Sequence, residues 1–145
     1  MKEGMLLRLA ALCAAAVFAF TACGGPSLKE RVLALFEVQE ELIREKVESH
    51  RAGNEVDWDE LEGVLRVYMY DGGVIELECV AEGILTSSVC AGIYYSPDDE
   101  PALVNWLHGE QLTEDGNGYS YSDGTDNRYY TDRICENFYY YRTSN

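Results

Sequence analysis

The sequence predicts an α+β fold, with one N-terminal amphipathic helix packed on a four- to five-stranded antiparallel sheet. Two patterns carry this reading. Apolar residues recur at helical spacing from Leu28 to Val47, and beyond Gly63 the period drops to two, with Gly- and Asp-rich turns between short runs. The 145 residues, 47% of them hydrophobic, suffice for one core and leave little room for a second domain.

The helix begins where Ser27 and Glu30 form a capping-box pattern. Leu28, Val32, Leu35, Phe36, Leu42, Ile43 and Val47 make one apolar stripe, and Glu30, Glu37, Glu40, Glu41, Arg44 and Glu48 the opposite face. Gly53 is the expected stop. A coiled coil is disfavoured, because the best heptad register places Gln39 and Lys46 on its seam. Asp57 and Glu60 repeat the capping pattern, which predicts a short helical turn with Trp58 and Leu61 pointing inward.

Leu65, Val67 and Met69 alternate with Arg66, Tyr68 and Tyr70; Ile75, Leu77 and Cys79 alternate with Glu76 and Glu78. The turn Asp71-Gly72-Gly73 sets the register. A two-residue loop would set Val67 and Met69 against glutamates. A three-residue loop pairs Met69 with Ile75 and Val67 with Leu77, and puts Arg66 opposite Glu78 and Tyr68 opposite Glu76 on a wet face. Leu85–Tyr95 reads as the third strand, ended by Pro97 to Pro101. Ala102–His108 fits a strand or a helical turn. A fourth strand is expected around Tyr119–Ser122 and a long fifth over Arg128–Tyr141. The layout resembles cystatin-type architectures, a likeness of fold that implies no activity.

Ahead of this domain, a charged start (Lys2, Arg8) precedes an apolar run from Leu9 to Phe20 and then Thr21-Ala22-Cys23-Gly24. The small pair before a cysteine resembles the lipobox of bacterial lipoproteins, with Phe20 standing where leucine is usual. The resemblance implies a signal peptide at 1–22, a lipidated Cys23, a short linker to residue 26 and one domain over 27–145. It places the domain on the extracytoplasmic face of the cell membrane, held there by the lipid. The competing readings are secretory cleavage after Ala22 or Gly24, and a retained membrane helix that Gly24-Gly25-Pro26 would break.

Charge narrows the partners. The chain carries 11 Lys+Arg against 26 Asp+Glu, a net charge of −15, and between Val67 and Asn127 there are twelve carboxylates and no Lys or Arg. That balance argues against nucleic acid and against charge-driven docking on anionic lipid, and favours a cationic partner.

Cys79, Cys90 and Cys135 remain once Cys13 and Cys23 are set aside. The alternation turns Cys90 away from Cys79, so a Cys90–Cys135 disulfide is expected, with Cys79 a small core residue. The surroundings of these thiols offer little to activate one as a nucleophile. Asp98-Asp99-Glu100 and the run from Asp115 to Asn127 invite a calcium reading, but Tyr119 and Ser120 fall where a calcium loop needs a ligand and a glycine. Two histidines, His50 and His108, and no recognised catalytic motif leave no base-and-nucleophile pair, so neither an enzyme nor a cofactor is expected.

Eleven tyrosines are the compositional oddity. Tyrosine suits interfaces, and β-propensity alone is the competing explanation. Tyr94, Tyr95, Asp98, Asp99, Glu100, Tyr129 and Tyr130 form the candidate binding surface. The stretches Val89–Asp99 and Arg133–Tyr141 resemble recurring segments of small lipoproteins of anaerobic Gram-positive gut bacteria, and no activity comes with that likeness. The sequence thus points to a lipid-anchored module that binds a macromolecular envelope partner. The alternatives are a small-ligand or calcium-binding lipoprotein and an inhibitor of a basic cell-wall enzyme.

Overall fold

The structure, a computed structural model, describes residues 25–84, 87–105 and 111–145. The expected signal peptide, Cys23 and His108 lie outside the described residues.

Helix α1 spans Leu28–Arg51 and starts on a complete capping box: the Glu30 N–H donates to Ser27 Oγ at 3.2 Å and the Ser27 N–H to Glu30 Oε2 at 2.6 Å. Val32, Phe36, Ile43 and Val47 bury the stripe, with Leu28, Leu35 and Leu42 packed beside them. Gly53 closes the helix at φ +85°, a left-handed conformation that glycine adopts without strain.

The two polar seam residues have work of another kind. Gln39 exchanges hydrogen bonds with the Glu62 backbone, at 2.7 and 2.9 Å. The buried Lys46 ammonium donates to the Asp57 carbonyl at 2.6 Å and to Glu60 Oε2 at 2.5 Å. Both clamp residues 57–62 against the helix. There Asp57 forms a tight turn instead of a helix cap, accepting the Asp59 N–H at 3.0 Å. Leu61 joins the core and Trp58 packs against it, both inward as the pattern predicts.

Among the described residues seven strands, rather than four or five, make one antiparallel sheet: β1 Arg66–Met69, β2 Ile75–Ile84, β3 Ser87–Tyr95, β4 Thr113–Asp115, β5 Gly118–Ser122, β6 Arg128–Cys135 and β7 Phe138–Ser144. Their spatial order is β1-β2-β3-β7-β6-β5-β4. The first hairpin keeps the expected register, Met69 opposite Ile75 and Arg66 opposite Glu78. The count rises for two reasons. The expected long fifth strand turns back on itself at Asn137, whose φ of +66° makes a tight reversal without a glycine. The all-polar β4 has no apolar alternation to reveal it, and pairs with β5 across Gly116-Asn117.

Two meanders therefore meet where β3 pairs with β7. The described parts of the connection between them, residues 96–105 and 111–112, pass over the face of the sheet opposite the helix. Ala102, Leu103, Val104 and Leu112 pack on that face.

Candidate functional site

The register sorts side chains onto two faces. The front, under α1, carries Ile75, Leu77, Ala91, Ile93, Tyr95, Phe138 and Tyr140. Phe36 from the helix meets Phe138 at 5.2 Å between ring centroids. On the back stand Tyr94, Tyr129, Tyr139 and Tyr141, with Tyr70 and Tyr121 packed against them. Tyr94 stacks on Tyr139 at 5.2 Å and Tyr129 on Tyr141 at 6.3 Å.

Packing so many phenols under a cover obliges each hydroxyl to find a partner. Tyr129 donates to the Ala102 carbonyl at 2.7 Å, and Tyr94 lies 2.8 Å from Thr131 Oγ1 while accepting the Ala102 N–H at 3.0 Å. The central acceptor is Glu76, which has no solvent exposure. Its carboxylate takes hydrogen bonds from the Tyr70 and Tyr141 hydroxyls and, at 3.0 Å, from the Asn105 N–H. Gly92 makes this reach possible: a Cβ there would lie 2.9 Å from the Tyr141 ring and 2.1 Å from the Leu77 carbonyl. Beside Glu76, Glu78 is also buried; its Oε1 lies 3.8 Å from Arg66 Nε and has no hydrogen-bond partner among the described residues. Burial pushes the Glu78 carboxyl above its ordinary range.

These contacts correct the sequence reading. The Glu76–Glu78 side of the hairpin is buried rather than wet, because residues 102–105 cover it. Tyr94 and Tyr129 are core residues, which removes them from any protein-binding surface. Tyr95 is likewise buried in the front core, with the Arg51 guanidinium 5.4 Å above its ring, and so also leaves the candidate binding surface. Tyr130 is half-buried on the front.

The cysteines are also rearranged. All three thiols are free, so the expected Cys90–Cys135 disulfide does not form. Cys90 pairs with Thr143 on the back, whereas Cys135 pairs with Phe138 on the front. Positions 138 and 143 on β7 lie about 17 Å apart, far beyond the reach of a disulfide. The Arg44 guanidinium donates to Cys135 Sγ at 3.2 Å, yet burial still raises that thiol, as it does Cys90; Cys79 is pushed up to about 12. None of the three has an activated thiolate's character. Among the described residues no group of three His, Cys, Asp or Glu side chains is placed to hold a metal ion. In the 115–127 run, Asp123 spends its oxygens on Thr125 and Asn127 within the turn.

The acidic loop behaves differently. Three turns pack at one end of the sheet: 71–73, 96–100 and 136–137. Asn137 Nδ2 donates to the carbonyls of Ser96 (2.9 Å) and Pro97 (3.2 Å), and Gly73 lies against the Pro97 ring. Asp99, at φ +53°, pins the group: Arg133 bonds both its carboxylate oxygens, at 3.1 and 2.6 Å, and the Asn137 N–H adds a third bond at 2.8 Å. Those donors hold the Asp99 carboxyl at about 2. Asp98 and Glu100 flank it and stay exposed, as do Asp71 and Glu136. The result is an acidic tip on a fixed frame. It lies at the end of the sheet where α1 finishes, since Arg51 sits over Tyr95; the start of α1 lies at the other end, where Arg31 pairs with Glu82 at 3.1 Å.

No protein-family profile matches this chain, and no curated protein or solved structure is significantly similar to it.

Proposed function

We propose that this protein is a lipid-anchored, extracytoplasmic binding module that presents its acidic tip to a cationic macromolecule of the cell envelope. The single observation that carries the reading is the polarity of the domain. A lipid on Cys23 would tether the start of α1 through four residues, a reach of roughly 14 Å. The exposed carboxylates of Asp71, Asp98, Glu100 and Glu136 gather at the opposite end, around a frame that Asp99 and Arg133 hold. A partner meeting that tip would find it preorganised and facing away from the membrane. Unopposed carboxylates speed encounter with a cationic surface and make it salt-dependent. Inhibition of a basic cell-wall enzyme is one specific form of this activity. Burial raises all three described thiols, which disfavours a cysteine nucleophile.

The test is photocrosslinking in intact cells, with a photoreactive residue replacing Asp98, Glu100 or Glu136. A recurrent adduct with one basic envelope protein, weakened by salt and lost in the Asp71→Asn/Glu136→Gln background, is the expected result. No adduct from any tip position, alongside adducts elsewhere on the domain, overturns the assignment of the tip. Palmitate labelling of the wild type but not of Cys23→Ser checks the anchor separately.

A further inference from the structure

A second surface carries the opposite chemistry. Helix α1 packs on β2, β3 and β7, which leaves the front of β4, β5 and part of β6 open. An open groove of about 340 Å³ runs there, lined by Ser120, Ser122, Arg128, Tyr130, Arg142 and Ser144, with Asp115 the one acid among its described lining residues.

The arginines are what set this groove apart. Lys29, Arg31, Arg44, Lys46, Arg66 and Arg133 each face a carboxylate. Arg51 lies over the Tyr95 ring. Arg128 and Arg142 remain, and neither has a carboxylate within ion-pair distance among the described residues. In a chain with 26 Asp+Glu and 11 Lys+Arg, an arginine without an acid partner runs against the charge balance. Here two share one groove. Register explains their meeting: Arg142 stands opposite Tyr130 and Arg128 opposite Ser144, so the guanidiniums rise from diagonal positions on adjacent strands. Diagonal neighbours are about 7 Å apart at the backbone, within reach of one ligand. Guanidinium forks match the geometry of carboxylate and phosphate oxygens, the serine hydroxyls add donors, and the half-buried Tyr130 ring offers a flat apolar contact between them.

We propose that this groove is a binding site for an oxyanion group, carboxylate or phosphate, carried on an extended ligand, with Arg128 and Arg142 as its recognition residues. It is independent of the acidic tip, which takes cations at another part of the surface.

The full chain, purified in non-ionic detergent, is titrated calorimetrically at low salt with tripolyphosphate, with an oligogalacturonate and with a neutral maltohexaose. At least one of the two anions binds and the neutral sugar does not; which anion binds identifies the group. Arg128→Gln and Arg142→Gln each weaken that binding by about tenfold, and the double variant loses it. Arg51→Gln, outside the groove, leaves it unchanged, and so does the Asp98→Asn/Glu100→Gln pair. Folding of each variant is confirmed by its thermal transition. Failure of both anions to bind the wild type, or equal binding by a folded double variant, overturns the proposal while leaving the assignment of the tip untouched.

Discussion

The two faces of the sheet are sealed by different physics. On the front, an amphipathic helix lays aliphatic and phenyl groups onto Leu77, Ile93 and Phe138, and no directional bond is needed. On the back, the irregular segment 102–105 covers tyrosines and two glutamates, and the seal holds because hydroxyls, a carboxylate and backbone amides satisfy one another. A dry face tolerates shape-conserving changes. A polar face depends on complete pairing, since one missing partner leaves a buried group unsatisfied.

Breaking the front should give the largest effect. Phe36→Ala removes a buried ring from contact with Phe138 and is expected to cost about 3–5 kcal/mol in urea unfolding. Next comes the centre of the back. Glu76→Gln places an amide N–H₂ where Tyr70 or Tyr141 donates, with an expected cost of about 2–3 kcal/mol. Tyr141→Phe should cost about as much, and the double variant less than the sum, because the two share one network. Additive costs would show that the carboxylate and the hydroxyl act separately. Ser27→Ala removes the helix cap, which both faces share only indirectly, and should cost about 1 kcal/mol.

The smallest effect separates two carboxylates by pH. Glu78 has a raised folded value, so its favourable contribution is complete below the ordinary carboxyl range and is lost as pH rises through the raised value. Glu78→Gln fixes the neutral form; it should raise the urea midpoint near neutral pH and match the wild type in acid. Asp99 runs the other way. Held at about 2 against an ordinary 3.8, it contributes stability above that ordinary value and loses it as pH falls toward 2. Asp99→Asn should therefore be less stable than wild type near neutral pH and converge with it in strong acid. A Glu78→Gln protein destabilised near neutral pH would mean that the Arg66 contact outweighs the burial of that carboxyl.

What the sequence reveals follows the same division. Helical spacing and Val/Leu alternation describe packing against a dry partner, so α1, its cap and the β1–β2 register are legible. The back face shows the same alternation as Tyr and Glu, which is also how a solvated face reads. Only residues 102–105 decide between them, and contacts such as those of Ala102 with Tyr129 and Asn105 with Glu76 are too distant in sequence for a local pattern to show. Two signals point toward the buried face: a tyrosine content that a surface alone would hardly need, and the lone Gly92 within the run Val89–Tyr95, a mark of close approach. At the tip, the sequence marks the acids but cannot sort Asp99, which holds the frame, from Asp98 and Glu100, which face outward. The arginine pair is invisible until β6 and β7 are recognised as separate strands.

The junction of β3 with β7 has a kinetic meaning. Each meander can form from neighbouring segments, but β3 must wait for a strand that lies more than forty residues later. Until it docks, β3 presents an unpaired edge bearing Ala91, Ile93 and Tyr95, the kind of edge that invites pairing with another chain. Closing that long loop is expected to be the slow, non-local step of assembly, and a holdase that covers β3 would then protect the chain through it.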